Sequence, residues 1–146
     1  MVLRFGYTGI RVRDLDESIR FYTEDLGMEI VEPEQPTPPT QGKVATLRSP
    51  GSSQLLELNW YAPGSRFGAP YVTGQELDHL AFECDDVDRV VRNLESKGVK
   101  VQVRPREIGE SLGWNEAFVE DPNGIWIELI PAKTGMGTTV ARSMGP

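Results

Sequence analysis

The sequence predicts an α+β protein built from two copies of one βαβββ unit. Three observations carry this. First, Tyr7–Asp16 aligns with His79–Asp88, each reading as a strand, an acidic turn and the start of a helix. Second, the two helices end alike, at Leu26-Gly27 and Lys97-Gly98, and short apolar strands follow at Met28–Val31 and Val99–Gln102. Third, each half closes with an apolar strand carrying one acid, Leu55-Leu56-Glu57-Leu58 and Trp126-Ile127-Glu128-Leu129. Tyr7 to Glu57 spans 50 positions and His79 to Glu128 spans 49.

Residues 4–12 form the first strand. Asp14–Asp25 reads as an amphipathic helix, with Leu15, Ile19, Tyr22 and Leu26 on its inward stripe and Gly27 ending it. Pro33–Gly42 holds four prolines and is expected to break regular structure, as a surface loop or as a flap over a pocket mouth. Val44–Leu47 and Gln54–Trp60 are strands around a turn at residues 49–53. In the second of these, Leu55, Glu57 and Asn59 share one face, where Asn59 can donate to a ligand. Residues 61–76 read as a linker, with Arg66 and Phe67 as candidate contacts to substrate or a partner subunit.

Leu77–Cys84 contains His79, the one histidine of the chain. Alternation puts His79, Ala81 and Glu83 on one face of that strand, and Leu80 and Phe82 on a core face. Val87–Lys97 is the second helix, with Val87, Val90, Val91 and Leu94 inward, and Val99–Val103 the strand after it. Arg104–Trp114 is a long loop whose two arginines either bind an anion or stay solvated. Asn115–Glu120 and Ile125–Ile130 make the final hairpin, turning at Asp121-Pro122-Asn123-Gly124. The organisation expected is thus a first module over 1–60, a linker over 61–76, a second module over 77–132 and a loose tail over 133–146.

A chain of 146 residues suits one compact domain in which two small modules share a core. A formal charge of −7 argues against nucleic-acid binding, which uses a basic patch. One cysteine, Cys84, excludes an intrachain disulfide, and its strand position suits a buried inert thiol. There is no apolar run of about 20 residues and no signal-like start, so the expectation is a cytoplasmic protein with no membrane partner.

A pseudo-two-fold relating two copies brings equivalent positions near its axis. Those positions are Tyr7, Glu57, His79 and Glu128. A glutamate inside an apolar strand is costly unless it is paired or metal-bound. Two glutamates in matching places, with a histidine at a third, follow the spacing logic of a metal site.

The chain here resembles the vicinal-oxygen-chelate superfamily, which includes glyoxalase I and the bleomycin-resistance fold. The resembling residues are Ile10–Tyr22 with Leu26-Gly27-Met28, then Leu56-Glu57-Leu58, His79-Leu80-Ala81-Phe82, Phe118–Gly124 and Ile127–Ile130, within about residues 4–132. The resemblance implies two βαβββ modules forming an open curved mixed sheet around a cleft. It implies a divalent metal (Zn, Ni, Mn, Fe or Co) held by Glu57, His79 and Glu128. The first ligand position is His or Gln in typical metal-dependent members and is Tyr7 here. Tyr7 can serve as a phenolate ligand, a hydrogen-bond donor to a chelated oxygen or an acid, or can simply pack.

The activity implied is that of a glyoxalase-like lyase or isomerase on a small oxygenated substrate. Its means are enolate stabilisation and proton transfer, with Glu128, Glu57 and Tyr7 as the catalytic candidates. Arg11, Asn59, Trp114, Phe118 and Trp126 are the substrate-binding candidates, and Arg11 and Asn59 lie near positions that touch glutathione in glyoxalase I. Resemblance and unpaired sheet edges both point to a homodimer. The alternatives are a non-catalytic bleomycin-type binding protein and an extradiol-type dioxygenase. The latter, like a fosfomycin-modifying transferase, fits poorly with a single histidine.

Overall fold

A computed structural model describes residues 1–122 and 124–132. The tail expected over 133–146 lies outside the described residues. The chain is α+β, with two compact units: one comprises Met1–Gly6 with the described chain from His79 onward, the other Tyr7–Asp78. The first strand, β1 (Leu3–Arg11), therefore contributes its opening residues to one unit and the remainder to the other.

In the Tyr7–Asp78 unit, β1 is followed by α1 (Leu15–Arg20), β2 (Glu29–Thr37), β3 (Gly42–Arg48) and β4 (Leu55–Tyr61). The strands lie in the order β2-β3-β4-β1, with β4 parallel to β1 and the other pairs antiparallel. Asp14 caps α1 by accepting from the Glu17 amide at 2.9 Å. Val12, Leu15, Ala45, Leu47 and Leu58 form the core beneath the helix, joined by the half-buried Ile19 and Tyr22. Leu47 and Leu58 are fully buried, each such side chain stabilising by about 1.5–3 kcal/mol.

Two expectations change here. The helix expected to run to Asp25 stays α-helical only to Arg20, and a π-helical turn covers Phe21–Asp25, with the Leu26 amide reaching back to the Phe21 carbonyl at 3.2 Å. The wider turn breaks the α-helical phase, so Leu26 leaves the inward stripe and is 57% exposed. The proline-rich stretch is not all loop: β2 continues through Pro33 and Pro36 to Thr37. It tolerates them because it is the edge strand, and its register slips between Ile30 and Glu32 and again between Glu32 and Gln35. Only the short 3-10 turn Pro38–Thr40 and the left-handed Gln41 separate it from β3.

The other unit repeats the plan with β5 (Leu77–Cys84), α2 (Val87–Ser96), β6 (Val101–Val103), β7 (Ala117–Glu120) and β8 (Trp126–Pro131). The order is β5-β8-β7-β6, with β8 parallel to β5 and the rest antiparallel. Asp86 caps α2 on the Arg89 amide at 2.9 Å, as Asp14 caps α1. Cys84, Val87, Val90, Val91, Ala117, Val119 and Leu129 make the core, with Phe82 and Leu94 packed on it. Burial, with Asp85 and Asp86 close by, pushes the Cys84 thiol above its usual range, as an inert core thiol requires. The opening residues of β1 belong here, and the Phe5 ring meets Phe82 edge-on at 5.5 Å.

The two loop arginines are spent on α2. Arg104 forks onto Glu95 at 2.5 and 3.3 Å. Arg106 forks onto Asp88 at 2.7 Å twice and reaches Asn115 at 2.9 Å. The Arg106 guanidinium holds the Asp88 carboxyl below the usual carboxylate range. A carboxyl lowered in the folded state stabilises above its unfolded pKa, and that stability is lost as pH falls through the folded one. In a double-mutant cycle of Asp88→Asn and Arg106→Gln, urea unfolding should give a small favourable coupling at pH 7, since water and salt screen an exposed pair. The coupling should vanish below the carboxylate range, and one that persists there would contradict the ion-pair account.

Candidate active site

In the His79 unit the residues facing α2 leave the alternate positions on the opposite face of the sheet. That face carries His79 and Ala81 from β5, Trp126 and Glu128 from β8, and Phe118 from β7. Register fixes the arrangement. Ala81 pairs with Glu128, His79 with Trp126, and Phe118 stands opposite Glu128. Ala81 is small, so the imidazole two residues before it reaches diagonally to the carboxylate. His79 Nε2 lies 3.2 Å from Glu128 Oε2, and both side chains are at least nine-tenths buried. Phe118 packs edge-on against His79 at 6.0 Å and against Trp126 at 5.5 Å. At that distance an imidazole carrying a proton on Nε2 can donate to the carboxylate, and a protonated carboxyl can donate to a bare Nε2. That is the make-up of a desolvated acid–base pair.

The Tyr7–Asp78 unit repeats the construction with different chemistry. Gly9, two residues after Tyr7, pairs with Glu57 as Ala81 pairs with Glu128. Thr46 stands opposite Glu57 where Phe118 stands opposite Glu128. Tyr7 and Glu57 thus share the face away from α1 and are half-buried.

The substrate-binding candidates fall in several places. Phe118 and Trp126 wall the His79–Glu128 couple. Trp114 is half-buried in the loop before β7, its amide on the Gly109 carbonyl at 3.1 Å. Asn59 is 2% exposed, and its amide nitrogen lies 3.5 Å from the carbonyls of Ile10 and Glu57. Arg11 is committed to its own unit: its guanidinium meets Glu76 at 3.4 Å, Asp78 at 3.6 Å and the Gln75 carbonyl at 3.3 Å. Asp78 also accepts from the Tyr61 hydroxyl at 2.7 Å. Sequence reading missed this network: it took 61–76 as a linker and looked for contacts there only at Arg66 and Phe67. Its signal was the pair of acids Glu76 and Asp78 bracketing the start of β5, the same charge pattern that Arg11 needs. Phe67 stacks on Tyr61 at 6.1 Å, and Arg66 is exposed.

Imidazole nitrogen and carboxylate oxygen suit a borderline divalent ion, so the couple fits as two members of a ligand set. Among the described residues no group of three or more His, Cys, Asp or Glu is gathered closely enough to hold an ion. Among them, too, no helix is long and apolar enough to cross a membrane.

A duplicated βαβββ chain with a buried carboxylate–imidazole couple on the sheet face away from the helix defines an α+β protein of the glyoxalase-fold class. The family itself follows from comparison: the Glyoxalase/Bleomycin resistance protein/Dioxygenase superfamily matches residues 4–129, and the chain belongs to it. It is 34% identical over 136 residues to a probable lactoylglutathione lyase of Vibrio cholerae, covering 89% of this chain and 91% of that one. It is 28% identical to the lactoylglutathione lyase of Schizosaccharomyces pombe, covering 87% of this chain but 47% of the relative. The chain thus spans about half the length of that relative and of the lactoylglutathione lyase of Arabidopsis thaliana. Among solved structures, a single-substitution variant of Streptomyces coelicolor methylmalonyl-CoA epimerase, in complex with 2-nitronate-propionyl-CoA, superposes with a TM-score of 0.71 at 26% identity, covering 90% of this chain and 95% of that one. The relatives named here are lyases and an epimerase.

Replacing His79 by Ala takes a partner from a buried carboxylate and should lower stability by about 1–3 kcal/mol in urea unfolding at neutral pH. With Glu128→Gln already present the same change should cost clearly less, because the charge that needed the imidazole is gone. Strictly additive single effects would mean that the two side chains do not interact.

Proposed function

We propose that the chain is a lyase or isomerase that moves a proton at a carbon beside a carbonyl, with Glu128 as the base. The observation that carries the reading is the 3.2 Å contact between Glu128 and His79 against the Phe118 and Trp126 rings. A carboxylate in such a wall is poorly solvated, while the imidazole holds its orientation and can take up or return the proton. Lactoylglutathione and methylmalonyl-CoA, the compounds in the relatives' names, share one feature: a C–H next to a thioester carbonyl. A 2-substituted acyl thioester is therefore the substrate class this reading favours.

In this proposal His79 and Glu128 would be two of the ligands of a divalent ion (Zn, Ni, Mn, Fe or Co), which when bound supplies electrophilic pull on the carbonyl. Glu57 sits on β4 at the position Glu128 occupies on β8. Tyr7 stands on β1 where His79 stands on β5, and its phenol is a hydrogen-bond donor. Phe118 and Trp126 exclude water from the carbon being deprotonated.

The test is proton exchange. Protein loaded with a divalent ion is incubated in deuterated water with lactoylglutathione or methylmalonyl-CoA, and deuterium at the carbon beside the carbonyl is followed by NMR. Incorporation should be catalysed, and Glu128→Gln should slow it by about 10²–10⁴-fold with little effect on ligand affinity. A ligand held tightly with no exchange would make the chain a binding protein. Exchange undiminished in Glu128→Gln would remove that residue from the role of base.

A further inference from the structure

The Tyr7–Asp78 unit holds a cleft of about 730 Å³ that the proposed proton transfer does not use, a volume in the range of small-molecule sites. Phe21 and Tyr22 line it from the α1 side, and Tyr71 and Leu77 from the segment that leads into β5. Phe21, Tyr71 and Leu77 are 46%, 44% and 40% exposed, so three of the chain's exposed large apolar side chains meet at one opening. Phe21 opens the π-helical turn and stands edge-on to Tyr22 at 5.1 Å. Insertions of this kind recur where a helix must present side chains to a ligand.

The charges around the cleft are not equivalent. Arg11 is consumed by Gln75, Glu76 and Asp78. Glu76 is consumed in turn by Arg11 and by the Val72 amide, at 2.6 Å. Asp14 is occupied as the cap of α1, and Glu17 is exposed, where salt screens it. Arg13 differs. Its guanidinium carbon lies over the Tyr71 ring, 4.3 Å from the ring centre, and among the described residues it has no carboxylate partner. Stacking uses the face of a guanidinium and leaves its in-plane N–H donors for an anion.

We propose that this cleft binds a planar aromatic ring bearing a carboxylate or phosphate, the ring seated between Phe21 and Tyr71 and the anion on the edge of Arg13. The site belongs to one unit alone and is independent of the His79–Glu128 reading. Its test uses three probes that share a ring and differ in charge: naphthoate, naphthalenemethanol and naphthylmethylammonium, each titrated into the full chain by calorimetry. Naphthoate should bind one per chain, about tenfold tighter than the neutral alcohol and more tightly still than the ammonium. Arg13→Gln, a change at an exposed side chain, should bring naphthoate down to the affinity of the alcohol and leave the alcohol unmoved. Phe21→Ala should weaken both, and His79→Ala neither. Absence of saturable naphthoate binding would overturn the assignment. So would naphthoate affinity that survives Arg13→Gln, an ammonium probe that binds as well as naphthoate, or binding lost in His79→Ala but kept in Phe21→Ala.

Discussion

An ionisable side chain set into an apolar strand must be given a partner or be protonated, and the rest of this structure follows from how that demand is met at Glu128. The carboxylate sits between Trp126 and Ile130 on its strand face, opposite Phe118, and 6% exposed. Water cannot solvate it there, so the imidazole of His79 does part of that work at 3.2 Å. Strand alternation makes this possible: the residues that flank Glu128 in sequence face α2 and build the core, while Glu128 faces away. A shift of one residue in β8 would put Glu128 into the hydrophobic core and Leu129 beside the imidazole, so the register of β5 and β8 is tied to the chemistry.

Duplication supplies the same backbone construction twice and lets the chemistry differ. Gly9 beside Glu57 and Ala81 beside Glu128 are the small residues that let a side chain two positions earlier lean toward the acid. Asp14 and Asp86 cap the two helices in the same way, and Gly27 and Gly98 follow them with positive φ. The units part company in the side chains around each acid. The phenol of Tyr7 stands for the imidazole of His79, and Thr46 stands for Phe118, making one face more polar than the other.

Much of this was legible in the sequence, because periodicity and turn chemistry are local. The repeat, both helix starts, both glycine stops and the pairing of each acid with its strand were read from spacing alone. What was not legible depended on partners far along the chain. Pro33 and Pro36 forbid a central strand but not an edge strand, and only the sheet order reveals that β2 is an edge. Leu26 kept the helical spacing, yet the π-helical turn at Phe21–Asp25 moved it out to solvent. Arg104 and Arg106 had the composition of an anion site, but Glu95 and Asp88 on α2 take their forks. His79 and Glu128 were singled out, as metal ligands with Glu57, because a lone histidine and an in-strand glutamate are each unusual, while Arg13 and Tyr71 were passed over because each is ordinary until they stack.

The central claim is that His79 and Glu128 act as one unit, and the chain offers a direct way to check it. His79 is the single histidine, so in untagged, nitrogen-labelled protein the imidazole resonances need no assignment. Following the two ring nitrogens through a pH titration, with and without Glu128→Gln, reads the proton of the couple itself. The account predicts that Nε2 titrates differently once the carboxylate is an amide, and that it responds to an added divalent ion in the unaltered protein. An imidazole whose nitrogens titrate identically in both forms and ignore the ion would contradict it.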